Sequence, residues 1–162
     1  PSPNMRSVTE AILYPGIGLL ETTELSVGRG TDTPFEVIGA PYIDDLKLAA
    51  ELNSTGLDGV RFVPVRFTPN NREFKGQFCK GVNIILTDRH NCDVVDVGIA
   101  IALKLQQLYP EKFGLEKFNR LLVHKPTVDA IREGKPLSMI KAEWDGDLRR
   151  FRERREKFLL YR

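Results

Sequence analysis

The spacing of apolar residues divides the chain into a first half that contains the predicted strands and a second half that is mostly helical. Residues 35–40 form a compact apolar run, residues 59–68 alternate between apolar and polar side chains, and residues 81–87 form a third strand-like run. Pro64 and Pro69 place the second run at the edge of a sheet, because proline has no N–H for a neighbouring strand. A short strand is also predicted at residues 74–78.

Helices are predicted where apolar residues recur at intervals of three or four. Ser7 and Glu10 have the spacing of a capping box and predict a short helix that stops at Pro15-Gly16. Asp93 begins the longest helix, which reaches about residue 108. Further helices are predicted at residues 44–52, 115–122 and 127–133, from about residue 136, and at residues 145–160.

Two segments have no regular pattern. Residues 1–4, with two prolines, predict an extended linker. Residues 17–33 mix β-branched and polar residues, and two glycines enclose Arg29, so we expect a strand or irregular segment that turns there. Strands come first and helices last. We therefore predict an α+β fold with mixed α/β layers: a small mixed β-sheet packed by helices, with a helical C-terminal part, in a single domain over residues 1–162.

Composition and charge narrow the function without identifying it. The chain is 41% hydrophobic and 28% charged, which is ordinary for a globular domain. Its 24 basic and 22 acidic residues give a net charge of +2, so nothing draws the whole chain to nucleic acid. The apolar run near residues 94–108 is too short and too polar to span a bilayer, and no membrane span is expected.

The cysteines and histidines give no sign of a metal or cofactor. Cys79 and Cys92 are separated and unclustered; two unpaired core thiols are favoured, and a disulfide between them stays open. His90 and His124 do not have ligand spacing with other donors, so no metal is expected. Gly28-Arg29-Gly30 lacks the remaining residues of a phosphate-binding loop, and no cofactor is expected.

One long motif carries a resemblance. It reads Leu13-Tyr14-Pro15-Gly16, Leu20-Glu21, then Ser26-Val27-Gly28-Arg29-Gly30-Thr31, Pro34-Phe35 and Gly39-Ala40-Pro41. This combination resembles the C-terminal portion of the NamZ-type exo-β-N-acetylmuramidases, and agreement continues to Tyr161. The resemblance implies the C-terminal domain of a larger two-domain enzyme, a Rossmann-like domain that precedes it, and an active site in the cleft between the two. It also implies a bacterial glycoside hydrolase that releases terminal N-acetylmuramic acid from peptidoglycan fragments, in the cell envelope or secreted.

The resemblance also selects the candidate site residues. Glycoside hydrolysis needs carboxyl groups beside the scissile bond, and Glu21 is the family-matching carboxylate, so it is the catalytic candidate. Arg29 presents a planar fork that suits either the lactyl carboxylate of muramic acid or a catalytic acid. The further substrate-binding candidates are Thr31, Ser26, Glu24 and Glu36. Structural roles remain open: Glu21 as an acceptor for the glycine turn, and Arg29 as the partner of Asp32 or Glu36.

One departure from the family sequence bears on activity. The family usually has glutamate, glycine, threonine and asparagine where this chain has Glu21, Thr22, Thr23 and Glu24. The change implies a different local backbone and an additional carboxylate. A non-catalytic carbohydrate-binding module is therefore the alternative function. Separately, because the resemblance implies an active site shared with the preceding domain, this domain alone is expected to be inactive.

A basic C-terminal helix suggests a different partner. Six basic residues lie between positions 149 and 157, which would suit a nucleic acid. The alternative is favoured: Arg149–Glu153 and Arg152–Glu156 have ion-pair spacing, and Trp144, Leu148 and Phe151 form a stripe that would dock on the core. No nucleic-acid partner is expected.

Overall fold

A computed structural model describes residues 5–161, so the predicted linker at residues 1–4 lies outside the described residues. Three strands and eight helical segments follow one another in this range. The strands are β1 (Val37–Ala40), β2 (Val60–Phe67) and β3 (Cys79–Leu86). The α-helices are α1 (Val8–Ile17), α2 (Asp45–Asn53), α3 (Val94–Leu108), α4 (Pro110–Phe113), α5 (Leu115–Leu122), α6 (Lys125–Arg132) and α7 (Leu137–Glu156), and a 3₁₀ helix spans Gly18–Thr22.

The three strands form one sheet in the order β1-β3-β2, and both pairings are antiparallel. The α+β class is confirmed, but the sheet is antiparallel rather than mixed. The physical reason lies in the connections. Helix α2 carries the chain from β1 to β2, which run in the same direction, and β3 then enters between them. No parallel neighbours remain among the described strands, and β2 lies at an edge as predicted.

The other edge of the sheet is covered. The backbone of Ser26 exchanges two hydrogen bonds with Gly39 of β1, at N···O distances of 2.9 and 3.0 Å. All four residues of β1 are buried. Of the segment at residues 17–33, the first residue ends α1, the next five form the 3₁₀ helix, and the irregular remainder contributes a single bridge to the sheet.

The main core lies between the sheet and the helices α1, α2 and α3. Helix α2 packs on β2 and β3, α3 packs on α2, and α1 crosses α3. A capping box starts α1 as predicted, with the Glu10 N–H donating to Ser7 Oγ at 3.0 Å. The prediction that this helix ends at Pro15-Gly16 is wrong. Gly16 lies directly against the Val94 carbonyl of α3, and burial of Ile17 carries the chain through the proline into the 3₁₀ helix.

The C-terminal part differs from the prediction in its helix boundaries. The two helices expected after residue 136 are one, α7, because Gly146 keeps helical backbone angles and nothing else breaks the pattern. Its first half docks through buried Ile140 and through Trp144, whose Nε1–H donates to Thr127 Oγ1 at 2.9 Å.

The distal half of α7 does not dock as the sequence suggested. Leu148 and Phe151 remain 40% and 48% exposed, so only Trp144 of the expected stripe packs on the core. The two expected ion pairs do not form in the described part of the chain, where Arg150 pairs with Asp147 instead.

The predicted strand at residues 74–78 is also wrong. These residues belong to the β2–β3 connection, in which Arg72 and Phe74 adopt left-handed φ values of 61° and 59° that a strand does not permit. Cys79 and Cys92 are free thiols, as favoured. Within residues 5–161, no helix combines the length and apolar character required to cross a membrane.

Candidate functional site

Glu21 lies on the 3₁₀ helix that follows α1. Its neighbour Leu20 is fully buried and anchors this turn in the core, whereas the Glu21 side chain stays 31% exposed. The anchored turn holds the carboxylate at the surface in a fixed position. This is the placement that a functional carboxylate needs, since a side chain on a rigid element is held more precisely than one on a free loop.

The Arg29 turn is built from two glycines with left-handed backbone, Gly28 at φ 78° and Gly30 at φ 83°. Both also lie in close contact with neighbouring backbone. A Cβ on Gly28 would approach the Val37 carbonyl oxygen to 2.7 Å, and one on Gly30 would approach the Asn71 nitrogen to 2.4 Å. Only glycine fits at either position, so the turn fixes the direction in which Arg29 leaves the backbone.

Arg29 and Glu21 form a two-point ion pair. Arg29 Nη2 donates to Glu21 Oε2 at 3.1 Å, and Arg29 Nε contacts the other carboxylate oxygen. The guanidinium also lies 5.0 Å from the centre of the Phe35 ring. Phe35 is fully buried, so it is a core residue and a support for Arg29 rather than a sugar-stacking surface. The Arg29 side chain is only 18% exposed, which limits screening of the pair by water.

The pair identifies the charged partner of Arg29. Its guanidinium is engaged by Glu21 and not by Asp32 or Glu36. Asp32 instead lies 3.9 Å from Arg6, and Glu36 accepts a hydrogen bond from Ser7 Oγ at 3.0 Å. Arg29 is therefore placed to orient Glu21.

A cavity of about 180 Å³ opens beside the pair. Ser26 lines it and is itself buried, with its Oγ accepting a hydrogen bond from the Gly28 N–H at 3.3 Å. The complete lining is Glu21, Leu25, Ser26, Val27, Arg29, Arg72 and Glu73. Two carboxylates and two guanidiniums therefore meet at one small opening.

Arg29 also borders a second cavity of about 180 Å³. Thr31 lines it, although the Thr31 hydroxyl is engaged by the turn through a bond to the Gly28 carbonyl at 2.7 Å. The complete lining is Arg6, Arg29, Gly30, Thr31, Pro34, Asn70, Asn71 and Arg72. Arg29 and Arg72 border both cavities, and we call the two cavities together the arginine cleft.

Two candidates lie outside the arginine cleft. Glu24 pairs with Lys117 of α5, and Glu36 bonds to Ser7 at the start of α1. The Thr22 hydroxyl, at the other departure from the family sequence, donates to the Lys117 carbonyl at 2.6 Å. Thr22 and Glu24 thus hold α5 against the 3₁₀ helix, and the departure is directed away from the cleft.

Sequence reasoning missed Arg72 and Glu73. Their signal was a run of four polar residues, beginning with Asn70, between two predicted strands. Nothing in that run showed that its loop would reach the Arg29 turn. The contact is made by the Asn70 N–H, which donates to the Gly30 carbonyl at 2.8 Å.

Two polar side chains outside the cleft serve local structure. Tyr42 donates its hydroxyl to the Glu24 carbonyl at 2.7 Å, and burial, with smaller contributions from Glu24 and Tyr109, raises its pKa. Asp88 accepts bonds from the backbone of His90 and the side chain of Asn91, which lower its pKa. No cluster of three metal-ligating side chains occurs among residues 5–161.

A larger cavity, about 620 Å³, lies elsewhere, between α3, α6 and the start of α7. Its three cationic side chains already have carboxylate partners: Lys104 with Glu51, Arg132 with Glu116 and Asp129, and Lys135 with Glu133 and Glu143. It brings no unpaired charged group to its lining. The smaller arginine cleft, in which charged residues gather beside Glu21 and Arg29 of the family motif, is therefore the better candidate site.

Known proteins with similar sequences and structures support one family. Residues 12–161 match the family described as exo-β-N-acetylmuramidase NamZ, C-terminal. The chain is 37% identical to the peptidoglycan β-N-acetylmuramidase NamZ of Bacillus subtilis over 164 aligned positions, which cover 99% of this chain and 40% of that protein.

Two solved structures have a similar fold. Both are DUF1343 family proteins of Bacteroides fragilis. One has a TM-score of 0.86 at 24% identity and is matched over 99% of this chain and 44% of its own length. The other has a TM-score of 0.72 at 29% identity, over 100% and 43%. The chain thus spans well under half the length of these relatives, and it belongs to the NamZ exo-β-N-acetylmuramidase family, whose C-terminal region it represents.

Proposed function

We propose that this chain is the C-terminal domain of a two-domain bacterial glycoside hydrolase that releases N-acetylmuramic acid from the non-reducing end of peptidoglycan fragments. The domain forms one wall of the substrate cleft, and a preceding domain forms the other. The observation that carries the proposal is the Glu21–Arg29 pair, which borders an open cavity on the family motif. Such an enzyme works in the cell envelope or outside the cell, where its substrate occurs.

Glu21 acts in this proposal as a carboxylate held by Arg29. The contacts with the guanidinium fix the orientation of the Glu21 carboxylate, which suits it to stabilise positive charge on the sugar. The buried Ser26 and the anchored glycine turn fix the position of the pair. The second group needed for hydrolysis comes from the preceding domain or from Glu73, the other carboxylate at the cavity.

The departure at Thr22 and Glu24 does not argue against catalysis. Both residues contact Lys117 of α5 rather than the cleft. The cavity beside Glu21 is open in this chain, which carries the departure. These contacts therefore give no support to the non-catalytic alternative.

Turnover tests the proposal. Free N-acetylmuramic acid released from a muramic acid–glucosamine disaccharide is measured for this chain and for the longer protein that carries it at its C-terminal end. Release by the longer protein and none by the chain alone is the expected result. Binding of the disaccharide by the longer protein without any release would identify a non-catalytic module and refute the proposal.

A further inference from the structure

The two compartments of the arginine cleft differ in the charged residues that line them. The first, beside Glu21, is lined by the carboxylates of Glu21 and Glu73 as well as by Arg29 and Arg72. The second is lined by three arginines, with Arg6 added to those two, and by no carboxylate among the residues that the structure describes. A small opening with guanidiniums alone attracts an anion, because each guanidinium presents several donors and no acceptor.

The three arginines are not equally free to bind a ligand. Arg29 is engaged at two points by Glu21. Arg6 lies 3.9 Å from Asp32, whose side chain is fully exposed. The Arg72 guanidinium has no ion pair with any carboxylate between residues 5 and 161 and borders both compartments. Of the three arginines, Arg72 is therefore the one available to form an ion pair with a ligand.

The loop that carries Arg72 is fixed on the body of the domain. Its ends are joined by a bond from the Gly76 N–H to the Pro69 carbonyl at 2.8 Å, and Asn70 is bonded to Gly30. Phe74 packs partly buried against the core, although its left-handed φ is unusual for a bulky residue. The loop thus presents Arg72 from a fixed position, which lowers the entropy cost of binding.

We propose that Arg72 binds the lactyl carboxylate of the muramic acid residue and selects muramic acid over glucosamine. The inference rests on the proposed function and deepens it, since it names the group that separates the two sugars. Arg29 then orients Glu21, and Arg72 reads the carboxylate in the neighbouring compartment. The division of roles follows from the ion pairs. Arg29 is paired with a carboxylate of the protein, Glu21, whereas Arg72 pairs with the carboxylate of the substrate.

Kinetics on paired substrates test this assignment in the longer protein. One disaccharide carries the free lactyl carboxylate, a second carries it as a carboxamide, and a third has the lactyl group linked to alanine, which moves the carboxylate outward. Arg72→Ala is expected to lower kcat/KM for the first substrate roughly 10- to 100-fold, mainly through KM, because a charge-assisted hydrogen bond is lost. For the carboxamide the expected change is less than about twofold, and Arg72→Lys restores part of the loss.

Arg61→Ala is the matched control, because it removes an exposed arginine from β2 that does not line the arginine cleft. It should leave kcat/KM on all three substrates unchanged. Equal losses by Arg72→Ala on the carboxylate and carboxamide substrates would overturn the assignment. Dependence on Arg72 that appears only with the alanine-linked substrate would overturn it too, in favour of the stem-peptide carboxylate.

A binding measurement separates this inference from the proposed function. Calorimetric titration of the longer protein with N-acetylmuramic acid and with N-acetylglucosamine needs no turnover. The wild type could release no sugar and yet bind N-acetylmuramic acid more tightly than N-acetylglucosamine. If Arg72→Ala abolishes that difference in affinity, the hydrolase proposal fails and the assignment of Arg72 stands. If both sugars bind equally, or if neither binds, the assignment of Arg72 is refuted.

Discussion

Replacing Gly16 with alanine should strongly destabilise the domain, because α1 and α3 cross through glycines. A Cβ on Gly16 would lie 1.7 Å from the Val94 carbonyl oxygen and 2.7 Å from its carbonyl carbon. The same crossing is tight from the other side, since a Cβ on Gly98 would lie 2.4 Å from the Gly16 carbonyl oxygen. Backbone atoms cannot turn away as a flexible side chain can, so the two helices must separate.

The size of the effect follows from two opposing contributions. Overpacking a core costs about 1–3 kcal/mol, and a clash with backbone belongs at the upper end of that range. Alanine recovers about 1 kcal/mol through its better helix propensity. The net loss is about 2 kcal/mol or more in the free energy of unfolding, and Tm should fall by roughly 4–8 °C for a chain of this size.

Urea unfolding followed by far-UV circular dichroism measures the loss. Gly146→Ala is the matched control, since Gly146 also lies in a helix and a Cβ there would meet only Arg150 Nη1, at 3.7 Å. That variant should gain about 0.5–1 kcal/mol. If Gly16→Ala unfolded within about 0.5 kcal/mol of the wild type, the close crossing of α1 and α3 would be refuted.

Three smaller predictions follow from individual contacts. The hydrogen bond from Arg66 lowers the pKa of Asp45, so the stability that this bond contributes is present above about pH 4 and is lost as the pH falls through the lowered pKa. Asp45→Asn should therefore be less stable than the wild type at pH 7 and equally stable in acid. Urea unfolding at several pH values measures this, and a difference in stability that does not change with pH would contradict the linkage. Burial raises the pKa of Cys79 to about 11, so Ellman's reagent at pH 8 should label this thiol only after unfolding. Peptide mass mapping locates the label, and rapid labelling of Cys79 in the native chain would contradict its burial. Thr22→Gly removes the hydrogen bond to the Lys117 carbonyl and adds backbone freedom, so the free energy of unfolding in urea should fall by about 1–2 kcal/mol. Turnover by the longer protein should change less than about twofold. A large gain in turnover would show that the departure does affect the cleft.

The strands and most helices could be predicted because local patterns decide them. The alternation along β2 and the Asp93 cap of α3 depend only on residues near each other in sequence. The boundaries that differ were decided by tertiary contacts instead. Helix α1 passes Pro15 because Gly16 packs against α3, a contact between residues almost eighty positions apart, and no local signal reports it.

In the candidate site, too, the sequence predicted individual residues but not the contacts that depend on the tertiary fold. The family motif pointed to Glu21 and Arg29, but their mutual pairing depends on how the 3₁₀ helix faces the glycine turn. Glu24 was a candidate by proximity in sequence and is turned to Lys117 by the docking of α5. Arg72 is more than forty positions from Arg29 and reaches it only through the folded β2–β3 loop, so sequence reasoning could not find it.

The most direct test of the central claim is the rate at which a Glu21→Gln variant of the longer protein releases N-acetylmuramic acid from the disaccharide. The substitution keeps the shape of the side chain and removes its charge, and Glu111→Gln on the exposed face of α4 is the matched control. The account predicts a loss of at least about 100-fold in kcat for Glu21→Gln, as expected for removal of a catalytic carboxylate, and none for the control. Normal turnover by Glu21→Gln, in a protein that remains folded, would remove the Glu21–Arg29 pair from the mechanism.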